Sequence, residues 1–351
     1  MQDPQVVAYA ERVRYVAELF PPERLVFLDR RPEASIGDPL DILYQGRRWF
    51  ILDGATAAVQ VFEDDGTFVG MLGAKGEGPG EYVEALSLSR AYDGQVAVMD
   101  AARASILVYS VDGRFVRELD IRQHRLGFVS GTAFRWRDPH RIHAVGISAS
   151  TGPYQAVIVD HADARPTVLA LLQPRSKASM RLGGSWDYRA MALVGDTLWA
   201  GEPYTAHIDL YDGSGNLVKQ VNRRRRGGLN EAWWHDFKRG DTQRFRELLT
   251  ARLPVRIHPL DPFVMVDMNA KVDLFTYAGE EIVLDLDLAT MPTVHDGWGT
   301  RIVSVLPENE KKHHFNAYDY ALLKEGGWTE DNADRWNLIL RVGRLAAPPR
   351  L

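Results

Sequence analysis

Four acidic residues recur at equivalent places along this 351-residue sequence. Asp53, Asp100 and Asp267 each end a short apolar run, and Glu202 takes the same place in another copy of the pattern. Carboxylates gathered around one axis could hold a hard cation such as Ca²⁺. An Asp at the end of a strand also caps the following turn by accepting hydrogen bonds from nearby backbone N–H groups. We expect the capping role, because a residue that recurs in every repeat generally serves the repeat itself.

A glycine-rich segment runs from Gly73 to Gly80. It lacks the Gly-Lys-Ser/Thr ending of a phosphate-binding loop, and no helical pattern clearly follows it, so we predict a structural connection between repeats. If this connection borders a central funnel, its polar and aromatic side chains could contact a ligand. These funnel-loop candidates are Lys75, Glu77, Glu81 and Tyr82.

Other reactive residue types lack the spacing that a reaction needs. Cysteine is absent, which excludes disulfides, thiolate metal sites and cysteine nucleophiles. His140 and His143 lie three positions apart on a predicted strand, so they would point to opposite faces and chelate poorly. Ser185 stands in a Gly-Gly-Ser-Trp-Asp sequence without the strand-to-helix context that exposes a catalytic serine. We therefore predict no catalytic residue, no metal site and no cofactor.

Two features outside the repeats have the chemistry of a contact surface. A run of four arginines is the densest charge in the chain, and it is either a solvated edge or a dock for an acidic partner or anionic headgroups. A Trp-Trp pair follows it, which either packs its own segment onto the fold or belongs to a binding hot spot. The predicted partner-binding residues are Arg223, Arg224, Arg225, Arg226, Trp233 and Trp234.

The composition excludes several classes of protein. A formal net charge of -5 argues against a nucleic-acid-binding domain, because such domains are usually strongly basic. No stretch reaches the roughly 18 consecutive apolar residues that a membrane-spanning helix needs. Met1 leads directly into Gln2-Asp3-Pro4 without a signal peptide, so the chain is either cytoplasmic or has lost a leader.

A repeat of 47 residues must position all of these groups. The segments Phe50 to Leu72 and Val98 to Leu119 share one order of apolar strand, acid, small-residue turn, strand ending in an aromatic residue, and glycine-containing turn. Leu198 to Val221 and Phe263 to Leu286 repeat it, and Ile142 to Leu172 fits a diverged copy. A period of about 40–50 residues is typical of propeller blades or stacked repeats. The alternation and the tight turns indicate antiparallel meanders.

The length accommodates six such units. We expect the last blade to contain Thr300 to Leu306, Tyr318 to Lys324 and Asn337 to Val342. Its fourth strand would come from Arg24 to Leu28 at the other end of the chain, which closes the ring and leaves only short, protected edges. A seven-bladed ring and an open sandwich are the alternatives.

Two segments break the strand pattern. Residues 228–254 carry apolar side chains at helical spacing after a plausible N-cap at Asp241, which predicts a helical insertion between blades four and five. Val6 to Phe20 suits a short amphipathic helix. We therefore expect an N-terminal helical segment over residues 1–22 and a single β-propeller domain over residues 23–351.

The repeats resemble NHL-type repeats, in which an apolar-Asp pair precedes an aromatic-x-x-x-Gly pattern. The first connection is similar to the linker of the bacterial proteins known as six-bladed β-propeller proteins. The matching residues are Gly73, Gly76, Gly78, Pro79, Gly80, Glu81 and Tyr82. The resemblance covers about residues 40–290 and implies an all-β fold of six four-stranded antiparallel blades. It implies little about function, since many relatives are exported or lipoprotein-anchored without an assigned reaction.

The sequence thus favours a binding or scaffold propeller rather than an enzyme. We expect an extrinsic accessory subunit in the periplasm or another extracytoplasmic compartment, contacting another protein or a membrane complex, and no nucleic acid. One alternative is a hydrolase or lyase of the propeller lactonase type with Ca²⁺ or Zn²⁺ in the central channel. Another is a propeller that binds carbohydrate or a small ligand through funnel aromatics.

Overall fold

The computed structural model describes most of the repeat region and both segments that close it. The described residues are 16–120, 126–127, 134–136, 138–148, 152–160, 167–172, 190–201, 207–222, 256–267, 271–287, 294–306, 324–325 and 336–346. A short helix, α1 (Val16–Leu19), opens the described chain, and strand β1 (Pro22–Asp29) and a 3-10 turn (Pro32–Ala34) follow it.

Each repeat folds into a blade whose strands are numbered outward from the centre of the ring. Blade one contains β2 (Pro39–Gln45), β3 (Arg48–Asp53), β4 (Ala58–Glu63) and β5 (Phe68–Met71). A small parallel pair, β6 (Ala74–Lys75) and β7 (Glu81–Tyr82), lies in the connection that follows. Blade two contains β8 (Ala85–Arg90), β9 (Val96–Asp100), β10 (Ser105–Tyr109) and β11 (Phe115–Asp120), with a second 3-10 turn at Tyr92–Gly94.

The remaining four blades follow the same plan. Blade three has five strands, β12 (Leu126–Gly127), β13 (Phe134–Trp136), β14 (Arg141–Ser148), β15 (Gly152–Asp160) and β16 (Thr167–Leu172), because β12 and β13 both pair with β14. Blade four contains β17 (Ala190–Val194), β18 (Thr197–Gly201), β19 (His207–Tyr211) and β20 (Leu217–Asn222). Blade five contains β21 (Arg256–Pro259), β22 (Val264–Asp267), β23 (Lys271–Phe275) and β24 (Glu281–Asp287). Blade six contains β25 (Val294–Trp298), β26 (Arg301–Leu306), β27 (Trp336–Arg344) and β1.

The six blades close into a ring. Going round, the innermost strands β2, β8, β13, β17, β21 and β25 each contact the next, and β25 contacts β2 again. The prediction of six blades is therefore confirmed, and the described residues form neither a seven-bladed ring nor an open sandwich. The hydrophobic core lies between neighbouring blades, where residues such as Trp49, Phe62, Val303 and Leu340 pack together out of contact with solvent.

The closure of the ring agrees with the sequence, but the composition of blade six does not. As expected, β1 supplies the outermost strand and pairs along β27 from Pro22 opposite Gly343 to Asp29 opposite Trp336. The innermost strand is Val294–Trp298, and with it the blade already has four strands. Of the strand predicted at Tyr318 to Lys324, residues 318–323 lie outside the described residues, and Lys324 is helical rather than extended.

The predicted segments at residues 1–22 and 228–254 are described only in part. Of the helix expected over Val6 to Phe20, the structure describes Val16–Leu19, with Val16 and Leu19 buried against Phe263 between blades five and six. The segment 223–255 connects β20 to β21, which is the expected place for an insertion. Its own conformation lies outside the described residues.

The antiparallel order gives the ring two different faces. The hairpin face carries the turns between first and second strands and between third and fourth strands. The first residue of β1 and the last residue of β27 also lie at this face. The connection face carries the turns between second and third strands and the connections from each outer strand to the next blade. Contacts confirm that neighbouring blades are oriented alike: Arg48, in the first turn of blade one, donates to the Val111 carbonyl in the last turn of blade two at 2.9 Å.

Candidate functional site

The repeated acids accept hydrogen bonds from the end of the connection that leads into each blade. The Asp53 carboxylate accepts hydrogen bonds from the backbone N–H groups of Gly37 and Asp38, at 3.0 and 2.8 Å, immediately before the first strand of its own blade. It also accepts from the Ala55 N–H at 3.2 Å and from the Thr56 hydroxyl at 2.7 Å in the following turn. One buried carboxylate thus joins a turn and a connection on the connection face.

Asp100 repeats this arrangement in blade two. It accepts from the N–H groups of Val83 and Glu84, at 2.8 and 3.2 Å, and from the N–H of Arg103 at 3.2 Å. The prediction that these acids cap turns is confirmed for Asp53 and Asp100. Asp267 is buried at the equivalent place in blade five, and Glu202 lies outside the described residues.

Carboxylates of the innermost strands bond to the backbone edge of the next blade. Such a strand pairs with its blade on one side only, so its other edge presents backbone groups toward the axis. Asp41 in β2 accepts from the Leu88 N–H of blade two at 2.9 Å. Asp296 in β25 accepts from the Tyr44 N–H of blade one at 3.1 Å. These two side chains satisfy edges that would otherwise lack partners.

Arg90 completes the same network near the hairpin end of the ring. Its guanidinium forms a two-pronged ion pair with the Asp296 carboxylate, with Nη1 at 3.0 Å from Oδ1, and donates to the Tyr44 carbonyl at 3.3 Å. Blades six, one and two therefore meet in one cluster. Bidentate Arg–carboxylate pairs are the stronger kind of ion pair, which suits a site that joins three blades.

A second arginine lies where the innermost strands begin, at the connection end of the ring. Arg256, the first residue of β21, donates from Nη1 to the His295 carbonyl at 3.1 Å and from Nη2 to the Leu40 carbonyl at 2.8 Å. It also lies 3.2 Å from Nδ1 of the His295 ring. Burial, and then the charge of Arg256, lowers the pKa of His295 to about 3, so the imidazole is neutral at physiological pH.

The glycine-rich connection is built as a structural element. Tyr82 is buried and its hydroxyl accepts from the Val59 N–H at 3.0 Å. Glu81 turns back into the connection, where its carboxylate accepts from the Gly78 N–H at 2.8 Å. Lys75 and Glu77 are exposed. Of the four funnel-loop candidates, two therefore stabilise the connection itself and two face solvent.

The predicted contact residues Arg223 to Arg226, Trp233 and Trp234 lie outside the described residues. The segment that contains them is bounded by two strand ends on the connection face, since Asn222 ends β20 and Arg256 begins β21 there. Sequence reasoning missed Arg256 and His295. The signal that could have found them is a charged or polar residue at the first or second position of a short strand that is otherwise mostly apolar.

Within the described ranges, no group of three or more His, Asp or Glu is arranged to hold a metal ion. That part of the chain also contains no helix long and apolar enough to cross a membrane.

A match to a known family covers about the first third of the chain. A family model described as "6-bladed beta-propeller" matches residues 16–136. The resemblance to bacterial six-bladed β-propeller proteins is thus confirmed. No curated protein matches the sequence significantly.

Solved structures extend the likeness to nearly the whole chain. A "putative exported protein" from Bacteroides fragilis NCTC 9343 superposes with a TM-score of 0.67 at 17% identity, over 95% of this chain and 97% of that one. A member of the DUF4221 family from Bacteroides vulgatus gives a TM-score of 0.59 at 7% identity, over 93% and 97% of the two chains. At such low identity, the likeness to these two structures shows the fold alone.

Proposed function

We propose that this protein is a non-catalytic binding propeller whose connection face contacts another protein. The observation that carries the proposal is the difference in length between the segments that join strand ends on the two faces. The first hairpin turns of blades one, two and four lie between Gln45 and Arg48, Arg90 and Val96, and Val194 and Thr197. On the connection face, two pairs of strand ends are instead joined by the much longer segments 223–255 and 307–335.

The composition of segment 223–255 supports a contact role. It contains the four consecutive arginines and the Trp-Trp pair, although the blades on either side are complete without it. Inserted segments in repeat proteins commonly lie on the binding face. Four positive charges in a chain of net charge -5 favour an acidic surface on the partner.

The contacts of the ionisable side chains on the inner strands favour a structural rather than a catalytic role for these side chains. Asp41, Arg90 and Asp296 are engaged with the backbone edges of neighbouring blades. Removing any of them would leave a backbone group without its partner. By analogy of fold with the "putative exported protein" from Bacteroides fragilis, we further propose an extracytoplasmic accessory subunit that associates with a protein complex.

The test is reconstitution with a partner identified from the native source. The untagged protein is isolated after gentle solubilisation, its native mass is compared with 39.5 kDa, and any co-purifying protein is identified and produced separately. The double variant Trp233→Ala/Trp234→Ala should bind that partner about tenfold or more weakly, since aromatic hot spots typically contribute over 1 kcal/mol each. Its melting temperature should not change.

The matched control is Tyr92→Ala, an exposed aromatic residue on the hairpin face. This variant should bind the partner as the wild type does. Equal affinity of the Trp233/Trp234 variant and the wild type, or a native mass of a free monomer, would contradict the proposal.

A further inference from the structure

We propose that the ring has a second closure at its inner edge, formed by Arg90 and Arg256. The first closure is the pairing of β1 with β27 on the outer side of blade six. The second closure holds the closing joint, by which we mean the contact between blade six and blade one. This goes beyond the protein contact proposed above, because it concerns how the blades separate and uses no residue of segment 223–255.

Arg90 reaches the closing joint from blade two. It is the last residue of β8, and its Nη2 donates to the Tyr44 carbonyl of β2 at 3.3 Å. The same guanidinium continues past blade one to blade six, where Nη1 lies 3.0 Å from Oδ1 of Asp296. Asp296 in turn accepts from the Tyr44 N–H at 3.1 Å. A charge-assisted pair thus ties blade two to blade six across the strand that lies between them.

Arg256 reaches the same joint from blade five, on the other side. It is the first residue of β21, and its Nη1 contacts three atoms of β25 in blade six. These atoms are the carbonyl oxygens of Val294 and His295, at 3.5 and 3.1 Å, and His295 Nδ1, at 3.2 Å. Its Nη2 donates to the Leu40 carbonyl of blade one at 2.8 Å. One planar guanidinium therefore bonds both inner strands of the closing joint.

The two arginines hold the closing joint at different heights. Arg90 acts near the hairpin end of the inner strands, where the rings of Tyr44 and Trp298 also pack across the joint with centroids 4.9 Å apart. Arg256 acts at the connection end, where β21 begins. Separation of blade six from blade one breaks the contact of Arg90 with Asp296 and that of Arg256 with Leu40. Each arginine therefore opposes the opening of this joint.

The two neighbouring joints depend on one of these arginines each. Separation of blades one and two breaks the contacts of Arg90 and leaves those of Arg256 in place. Separation of blades five and six breaks the contacts of Arg256 and leaves those of Arg90 in place. We therefore expect loss of either arginine to favour the opening of two joints, and only the closing joint to respond to both losses.

Single cysteines can report on each joint, because the chain has no cysteine of its own. Val303→Cys places a thiol in the buried cluster of the closing joint. Val98→Cys does so between blades one and two, and Val272→Cys between blades five and six. All three valines are fully buried, so a thiol reagent such as DTNB reacts only when the joint opens. The rate of reaction under native conditions measures that opening.

Arg90→Met should raise the reaction rates of the Val303→Cys and Val98→Cys variants by about tenfold or more, the usual effect of losing a hydrogen bond to a charged group. It should leave the Val272→Cys rate unchanged.

Arg256→Met should raise the rates of the Val303→Cys and Val272→Cys variants by a similar factor and leave the Val98→Cys rate unchanged. The matched control is Arg48→Met. Arg48 joins blade one to blade two through the Val111 carbonyl, so its loss should raise the Val98→Cys rate alone.

Equal acceleration at all three positions would overturn the proposal, since the arginines would then stabilise the ring as a whole. Unchanged rates in both arginine variants would overturn it too. If a methionine variant does not fold, Arg90→Lys and Arg256→Lys keep the charge without the planar fork and should show the same pattern with smaller factors. None of these variants alters Trp233 or Trp234, so the protein contact proposed above is tested separately.

Discussion

The two faces of the ring hold the chain by different means. On the hairpin face, partly exposed ion pairs such as Arg24–Asp64 and Arg48–Asp112 join one blade to the next. On the connection face, the buried carboxylate of Asp53 bonds the end of a connection to a turn of the same blade. The first kind of contact joins blades, whereas the second kind fixes the point at which the chain enters a blade.

This difference explains where long segments can be accommodated. Within the connection that leads into each blade, Asp53 and Asp100 bond only the residues immediately before the first strand, Gly37 and Asp38 in one case and Val83 and Glu84 in the other. The rest of each connection is not bonded by the acid, so its length can change without moving the blade. A long segment before β21, where Asp267 occupies the equivalent place, agrees with this rule.

The largest expected effect comes from removing a buried acid of the connection face. Asp53→Ala would leave the N–H groups of Gly37, Asp38 and Ala55 without an acceptor, and we expect it to lower the free energy of unfolding by about 4 kcal/mol. Urea unfolding followed by circular dichroism measures this.

The control is Asp65→Ala on the hairpin face. Asp65 accepts from the Thr67 N–H in an exposed turn, at 2.9 Å, so its loss should cost only about 0.5–1 kcal/mol. Equal costs for the two variants would show that the faces are held alike and would remove the distinction drawn here.

A smaller effect is expected where a hairpin turn supports the closure of the ring. Gly66 has φ +94°, and a Cβ placed on it would lie 2.1 Å from the Phe27 carbonyl oxygen of β1. We expect Gly66→Ala to destabilise the protein by about 2–3 kcal/mol, through backbone strain and displacement of β1.

Gly113 provides the matched control at the same place in the next blade. Its φ is +85°, but a Cβ there meets no described atom within 4 Å. Gly113→Ala should therefore cost about 1 kcal/mol, from the backbone conformation alone. Chemical denaturation of both variants tests the difference, and a Gly113 variant as unstable as the Gly66 variant would contradict the role of β1.

The smallest effect concerns an ion pair of the hairpin face and its dependence on pH. Burial works to raise the pKa of Asp64, but hydrogen bonds from Arg24 and Tyr44 outweigh it and hold that pKa below its ordinary value. A carboxyl with a lowered folded-state pKa stabilises the protein above its unfolded-state pKa. That contribution is lost as the pH falls through the folded-state value.

Asp64→Asn should therefore cost about 0.5–1 kcal/mol at neutral pH, the usual value for a partly exposed pair. The difference between variant and wild type should begin to shrink as the pH falls toward the unfolded-state pKa of about 3.9, and it should disappear only below the lowered folded-state pKa. Melting temperatures across this range test it. A difference that persists undiminished in acid would mean that Asp64 acts through packing rather than through its charge.

The repeat made most of the fold predictable. The constant spacing of Asp53 and Asp100 and of Gly66 and Gly113 gave the blades, their turns and the capping role of the acids. The closing strand could be placed because an apolar segment at the start of the chain had no partner nearby.

The inner strand of blade six was missed because His295, Asp296 and Gly297 interrupt its apolar pattern. His295 and Asp296 bond Arg256 and Tyr44 of neighbouring blades, and a Cβ on Gly297 would meet Leu260 of blade five, so the reason for their presence exists only in the closed ring. The candidate site could not be predicted for the same reason, because its contacts exist only in the closed ring. Arg256 and His295 are 39 positions apart, and Leu40 is 216 positions from Arg256.

The pairing of β1 with β27 has a consequence for the order of events during synthesis. During synthesis β1 must wait for β27, and the contact between Arg341 and the Phe20 carbonyl spans 321 positions. Until then β1 exposes an edge that could pair wrongly, and five blades stand as an open arc. The native ring can therefore form only after β27 has been made, and contacts this remote in sequence make its last step slow.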